Sequence, residues 1–146
     1  MGLDGDDYVG CLAGHLRAAA RMITREYDTA LRPHGLRITQ VALLVQLARV
    51  QPVTVTELAL ALSGERSAVA RDVAILERDG LVLSVAKPGD QRAWHVSLTP
   101  AGEQRLSECL PAWRGVQTRM REHLGEKNAA ALVALSDRVV SALTST

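Results

Sequence analysis

Phenylalanine is absent from this 146-residue chain, and two Trp and two Tyr are its only other aromatics. Such poverty points to a helix-built core of aliphatic side chains. Cysteine is almost as scarce, and two residues cannot make the dense disulfide framework of a small secreted module. No apolar run approaches the roughly 18–20 residues that a bilayer span requires. Charge of one sign is missing too. Seventeen Lys+Arg stand against 16 Asp+Glu, a formal charge of +1, far from the strongly basic balance common in nucleic-acid-binding domains. Met1 to Asp7 is acidic and lacks the basic and apolar regions of a signal peptide, so a soluble cytoplasmic protein is expected. A hydrophobic fraction of 47% excludes a disordered chain. The length suits one domain, alone or with appended helices.

Helical periodicity dominates what is present. Tyr8, Leu12, Leu16, Ala19, Ile23, Tyr27 and Ala30 recur at three- and four-residue steps, predicting an amphipathic helix from about Asp7 to Leu31. Pro33-His34-Gly35 stops it. A second helix is expected from Thr39, a candidate N-cap, to the Gln51-Pro52-Val53 break. Thr54-Val55-Thr56-Glu57 reads as a capping box opening a short helix through Leu62. Ser63-Gly64-Glu65 turns the chain, and a fourth helix follows from about Arg66 to Arg78, with Val69, Val73 and Leu76 inward. After Gly80 the period changes. Leu81–Ala86 and Ala93–Leu98 predict a two-stranded hairpin with an exposed tip at Lys87–Arg92. Thr99-Pro100 starts a long helix striped with Leu106, Leu110, Trp113, Met120 and Leu124, in which Pro111 is expected to introduce a kink. A last helix spans about Glu126 to Leu143.

Helix, three-residue turn, helix and hairpin together make a winged helix–turn–helix, mainly α with a small β-wing. The second helix of such a pair enters the major groove of DNA, and the hairpin tip reaches an adjacent minor groove. Arg66, Ser67 and Arg71 suit base or phosphate contacts, and Ala68 and Ala70 permit close approach. Lys87 and Arg92 flank the tip, and Asp90 is placed to hold the Arg92 guanidinium. The alternative is a winged-helix protein-interaction module that has lost DNA binding. An enzyme is not expected. The histidines at 15, 34, 95 and 123 form no metal-ligand pattern, and glycine-rich phosphate loops and nucleophile elbows are missing, so no metal or cofactor is expected.

At this point the chain resembles the MarR family of winged helix–turn–helix bacterial transcription regulators. The resemblance runs from Leu36 to Gly102. It rests on Leu36-Arg-Ile-Thr-Gln40, Thr56-Glu-Leu-Ala59, Ser67-Ala-Val-Ala-Arg71, Leu76-Glu-Arg-Asp-Gly-Leu-Val82, Asp90-Gln-Arg92 and Ser97-Leu-Thr-Pro-Ala-Gly102 in one order. Two positions depart from the family pattern. Ser84 stands where many members carry Arg, and Ala70 replaces a frequent Thr. The resemblance implies a homodimeric repressor on a palindromic operator of double-stranded DNA, with Thr39 added to the DNA-binding set. It divides the chain into 1–35 (N-terminal helix, part of the dimerisation region), 36–99 (winged DNA-binding domain) and 100–146 (C-terminal dimerisation helices). The residues support the dimer independently, since the terminal helices carry more apolar face than one winged motif covers.

Two controls are open. Cys11 and Cys109 are either small buried hydrophobes or a redox pair, Cys11 being activated near a helix N-terminus beside Tyr8 and His15. Some MarR-like regulators sense organic hydroperoxides through a first-helix Cys that a Cys of the other subunit resolves, and the placement of Cys11 and Cys109 is similar. The other control is a small aromatic or phenolic effector at the dimer interface. His15, Arg17, Tyr27 and Trp113 are its candidate lining, unless they serve interface packing or no effector exists.

Overall fold

The computed structural model describes residues 5, 9–87 and 89–144, with side chains at 90 and 91 outside that set. Helix α1 spans Leu12–Leu31, beginning later than the expected Asp7. Cys11 is its N-cap, with extended backbone that ends the helix there. Asp7 and Tyr8 lie outside the described residues. At the other end Arg32–His34 tightens into a 3-10 turn, and Gly35 takes the left-handed conformation (φ 68°) that a glycine adopts without steric penalty.

Helix α2 covers Ile38–Arg49 and corrects the expected cap. Arg37 holds the N-cap position, and Thr39 lies inside the first turn. The free N–H groups find acceptors elsewhere: Ile38 donates to Asp28 Oδ1 (2.8 Å) on α1, and Arg37 donates to Gln40 Oε1 (3.0 Å). A residue ten positions upstream therefore does the work that Thr39 was expected to do.

Val53–Thr54 forms a short strand β1 that the sequence did not announce, because two residues carry no period. The sheet has three antiparallel strands in the order β1-β3-β2, where β2 is Val82–Lys87 and β3 is Asp90–Leu98. Val53 pairs with Val96 and Thr54 with His95, while Val82 faces Leu98. The expected capping box is present on α3 (Val55–Ala61): Glu57 N–H donates to Thr54 Oγ1 (3.2 Å), and Thr54 N–H donates to Glu57 Oε2 (2.7 Å).

Helix α4 covers Arg66–Arg78, α5 Pro100–Leu124 and α6 Glu126–Thr144. Helix α5 runs as one element through Pro111. Its start is pinned to the base of the wing. Thr99 caps Gly102 N–H (3.1 Å) and donates from its hydroxyl to the Gly80 carbonyl (2.6 Å). A Cβ at Gly102 would sit 2.0 Å from the Leu81 carbonyl oxygen, so only glycine fits.

The core is aliphatic, as the composition predicts. Leu31, Leu44, Leu47, Leu58, Leu76, Val96 and Val116 are buried together, with Tyr27 the one buried aromatic among the described residues. The apolar face of α1 divides in two. Ile23, Tyr27 and Ala30 pack on the core, while Leu12 (77% exposed) and Leu16 stand open. On α6 only Ala129 is buried, and Leu135, Val139 and Leu143 are exposed. No helix among the described residues is long and apolar enough to cross a membrane.

Candidate nucleic-acid interface

The helix–turn–helix is built on a closely bonded turn. Gly64 N–H donates to the Ala59 carbonyl (2.9 Å), and Ser63 adopts φ 50°, a left-handed backbone that reverses the chain. Glu65 then caps α4. Because Val69, Val73 and Leu76 are buried, the 3.6-residue period turns Arg66, Ser67, Ala68 and Arg71 outward, and all four are exposed. Thr39 reaches the same neighbourhood: it lines a hollow of about 200 Å³ with Glu65, Ala68 and Asp72. Five of the expected DNA-contact residues thus surround the N-terminal half of α4.

Position is reinforced by two side chains that sequence reasoning did not single out. Arg66 Nε donates to Thr56 Oγ1 on α3 (3.1 Å), across the turn. Glu77 Oε1 accepts the Ser84 N–H (2.8 Å), tying the last turn of α4 to β2. Spacing alone hints at neither, since the partners are seven and ten residues apart on different elements.

At the wing, Lys87 and Arg92 are exposed, and the pairing slips between Ala86 and Lys87 so that Lys87 faces Asp90. The Asp90 side chain, expected to hold Arg92, lies outside the described residues. Alternation along β3 puts Arg92, Trp94 and Val96 on one face. Val96 is buried, but Trp94, farther out along the strand, is 56% exposed. This wing tryptophan was also missed, although the alternation would have found it. Nearby, two hydrogen bonds from Thr54 hold the Glu57 carboxyl below the usual carboxylate range, with His95 and Lys87 adding attraction.

The residues proposed for control are dispersed. Cys11 is half-buried and Cys109 fully buried, its Sγ donating to the Leu106 carbonyl (3.2 Å). Burial pushes the Cys109 thiol up, against smaller lowering contributions from its own backbone hydrogen bond and from Arg105. Cys11 lies about 24 Å along α1 from Tyr27, whereas Cys109 is one turn from Trp113, whose ring centroid is 6.2 Å from that of Tyr27. A disulfide needs Cα atoms within about 7 Å, so the two cannot pair within one chain in this fold. His15 is exposed and donates to the Val9 carbonyl (2.6 Å), and Arg17 is exposed two residues on. Tyr27 is buried roughly 18 Å farther along the helix, so the three do not line one cavity within a chain. The Tyr27 hydroxyl is held above its ordinary pKa by burial, partly offset by Arg121.

A helix pair with its polar face outward, flanked by a basic-tipped hairpin, defines a winged helix–turn–helix protein. Residues 36–94 match the model of the MarR family. The chain is 32% identical to the transcriptional regulator MosR of Mycobacterium tuberculosis in a crystal structure with DNA, covering 90% of this chain and 98% of that one at a TM-score of 0.77. A probable transcriptional regulator from Pseudomonas aeruginosa is 27% identical, with 89% and 97% coverage and a TM-score of 0.80. The transcriptional repressor CouR, bound to a 23-mer DNA duplex, shares the fold at 23% identity, with 96% and 99% coverage and a TM-score of 0.83. No curated protein sequence matches. The chain belongs to the MarR family, and is a DNA-binding transcription regulator and not an enzyme.

Proposed function

We propose that the chain is a cytoplasmic homodimeric repressor that holds a palindromic operator with one α4 and one wing per half-site. Residues 1–35 and 100–146 form the dimerisation region and 36–99 the DNA-binding domain. The observation that carries the reading is the exposed row Arg66, Ser67, Ala68 and Arg71, rooted by Val69, Val73 and Leu76 and flanked by Lys87 and Arg92. Arg71, Ser67 and Arg66 read bases, and Thr39, Lys87 and Arg92 hold backbone or minor groove, with Asp90 orienting Arg92. Binding is tested by anisotropy on duplexes that the wild type enriches from a random pool. Arg71→Ala and Arg92→Ala each weaken it, Arg71 by about tenfold at the base it reads. Unchanged affinity in the double variant overturns these assignments.

Release follows from oxidation. The Cys11 thiolate attacks the O–O bond of a hydroperoxide, giving a sulfenic acid and an alcohol. The Cys109 thiol of the other subunit then displaces water to form the disulfide. Since Cys109 is part of the core, reaching it requires the packing around α5 to open, and that disturbance is what loosens the DNA grip. Peroxide is expected to give a dimer band on a non-reducing gel and to release DNA. Unchanged release in Cys11→Ser overturns the redox reading.

A second reading is supported by a hollow of about 550 Å³ at the junction of α1, α2 and α4, lined by Arg32, Arg37, Gln40, Ile75 and Arg78. It has the volume of a small-molecule site and touches α4 directly. A small aromatic or phenolic effector bound here, or at the dimer interface near His15, Arg17 and Tyr27, releases DNA without cysteine. Phenolic ligands that release DNA from Cys11→Ser support this reading, and failure of any to do so removes it.

A further inference from the structure

Arg66 is the first residue of α4, and its guanidinium is not left to swing. Its Nε donates to Thr56 Oγ1 at 3.1 Å, from a helix on the other side of the turn. No carboxylate of the described residues forms an ion pair with it. A guanidinium has five N–H donors, one on Nε and two on each terminal nitrogen. Engagement of Nε removes the side-on approach and leaves the end-on fork of Nη1 and Nη2 as the open bidentate face. That fork matches the O6 and N7 acceptors of guanine in the major groove. The N-terminal residues of a recognition helix are the ones that meet base edges, while the preceding helix crosses the backbone.

We propose that Thr56 is a positioning residue that locks Arg66 into its end-on orientation, making Arg66 the reader of one guanine in each operator half-site. The proposal rests on the DNA-binding role of α4 given above. Thr56 also brings rigidity, since a β-branched side chain has few rotamers. The lock therefore confers selectivity as well as affinity.

The test uses the full-length protein and a duplex enriched by the wild type from a random pool, with guanines replaced one at a time by 7-deazaguanine, which lacks the N7 acceptor. The wild type is expected to lose about tenfold affinity at one guanine per half-site. Thr56→Ser retains that sensitivity. Thr56→Val, which keeps the shape and loses the hydroxyl, loses it, as does Arg66→Ala. In the Arg66→Ala background Thr56→Val has no further effect, which separates positioning from damage to the fold. The inference is overturned if Thr56→Val discriminates as the wild type does. It is overturned equally if Thr56→Val weakens binding as much without Arg66 as with it, or if Arg66→Ala leaves every guanine response intact. A wild type that enriches no duplex overturns the DNA-binding reading itself.

Discussion

Gly102 shows how much a single position can decide. The missing Cβ lets the first turn of α5 lie against the Leu81 carbonyl, joining that helix to the base of the wing. Gly102→Ala is expected to cost about 3 kcal/mol, because the obstacle is backbone and cannot rotate away. The urea midpoint measures it, and a change within error would mean that the junction yields. Glu57 offers a pH signature. Its folded-state pKa lies below the unfolded value, so its contribution is complete above the ordinary carboxylate range and is lost as pH falls through the lowered value. The stability difference between wild type and Glu57→Gln should therefore hold constant near neutrality and shrink in acid. A difference independent of pH would contradict the capping-box role.

Among the elements, α2 is the case in which local propensity was overruled. A threonine near a helix start is a good N-cap, yet the chain places Thr39 two residues past the N-cap position and uses Asp28 from α1. Asp28→Ala is expected to lower stability by about 1 kcal/mol, and Thr39→Ala by much less. Equal losses in thermal unfolding would contradict this assignment. By contrast, α3 and α5 begin close to where their sequence signals place them, because Thr54 with Glu57 and Thr99 with Pro100 act over three or four residues. Strand β1 was not legible. It exists because Val53 and Thr54 meet β3, and that partner lies some forty residues away.

At the scale of the molecule, α1 and α6 each leave apolar side chains open. Leu12, Leu16, Leu135, Val139 and Leu143 are exposed on helices otherwise packed against the core or α5. The proposed homodimer would cover them at both termini at once. Leu16→Glu combined with Leu135→Glu is expected to give monomers in sedimentation and to abolish tight operator binding. Monomers are expected to retain helix content, since the core residues lie elsewhere. A variant that stays dimeric would place the interface on another face. With near-neutral overall charge, binding depends on a few placed cations, so affinity should fall with salt only as steeply as those phosphate contacts dictate.

The winged helix–turn–helix was readable from the amino-acid order because its signals are local: periodicity buries Val69, Val73 and Leu76 and thereby exposes Arg66, Ser67, Ala68 and Arg71. The family resemblance was legible in the same stretch. Tertiary structure alone decided what depends on distant partners. It separated Cys11 from Cys109 and His15 from Tyr27, and gave α2 its cap from α1. It also joined Thr56 to Arg66. The near-neutral charge balance that first argued against DNA describes sums. Long-range packing determines which few side chains those sums leave facing outward.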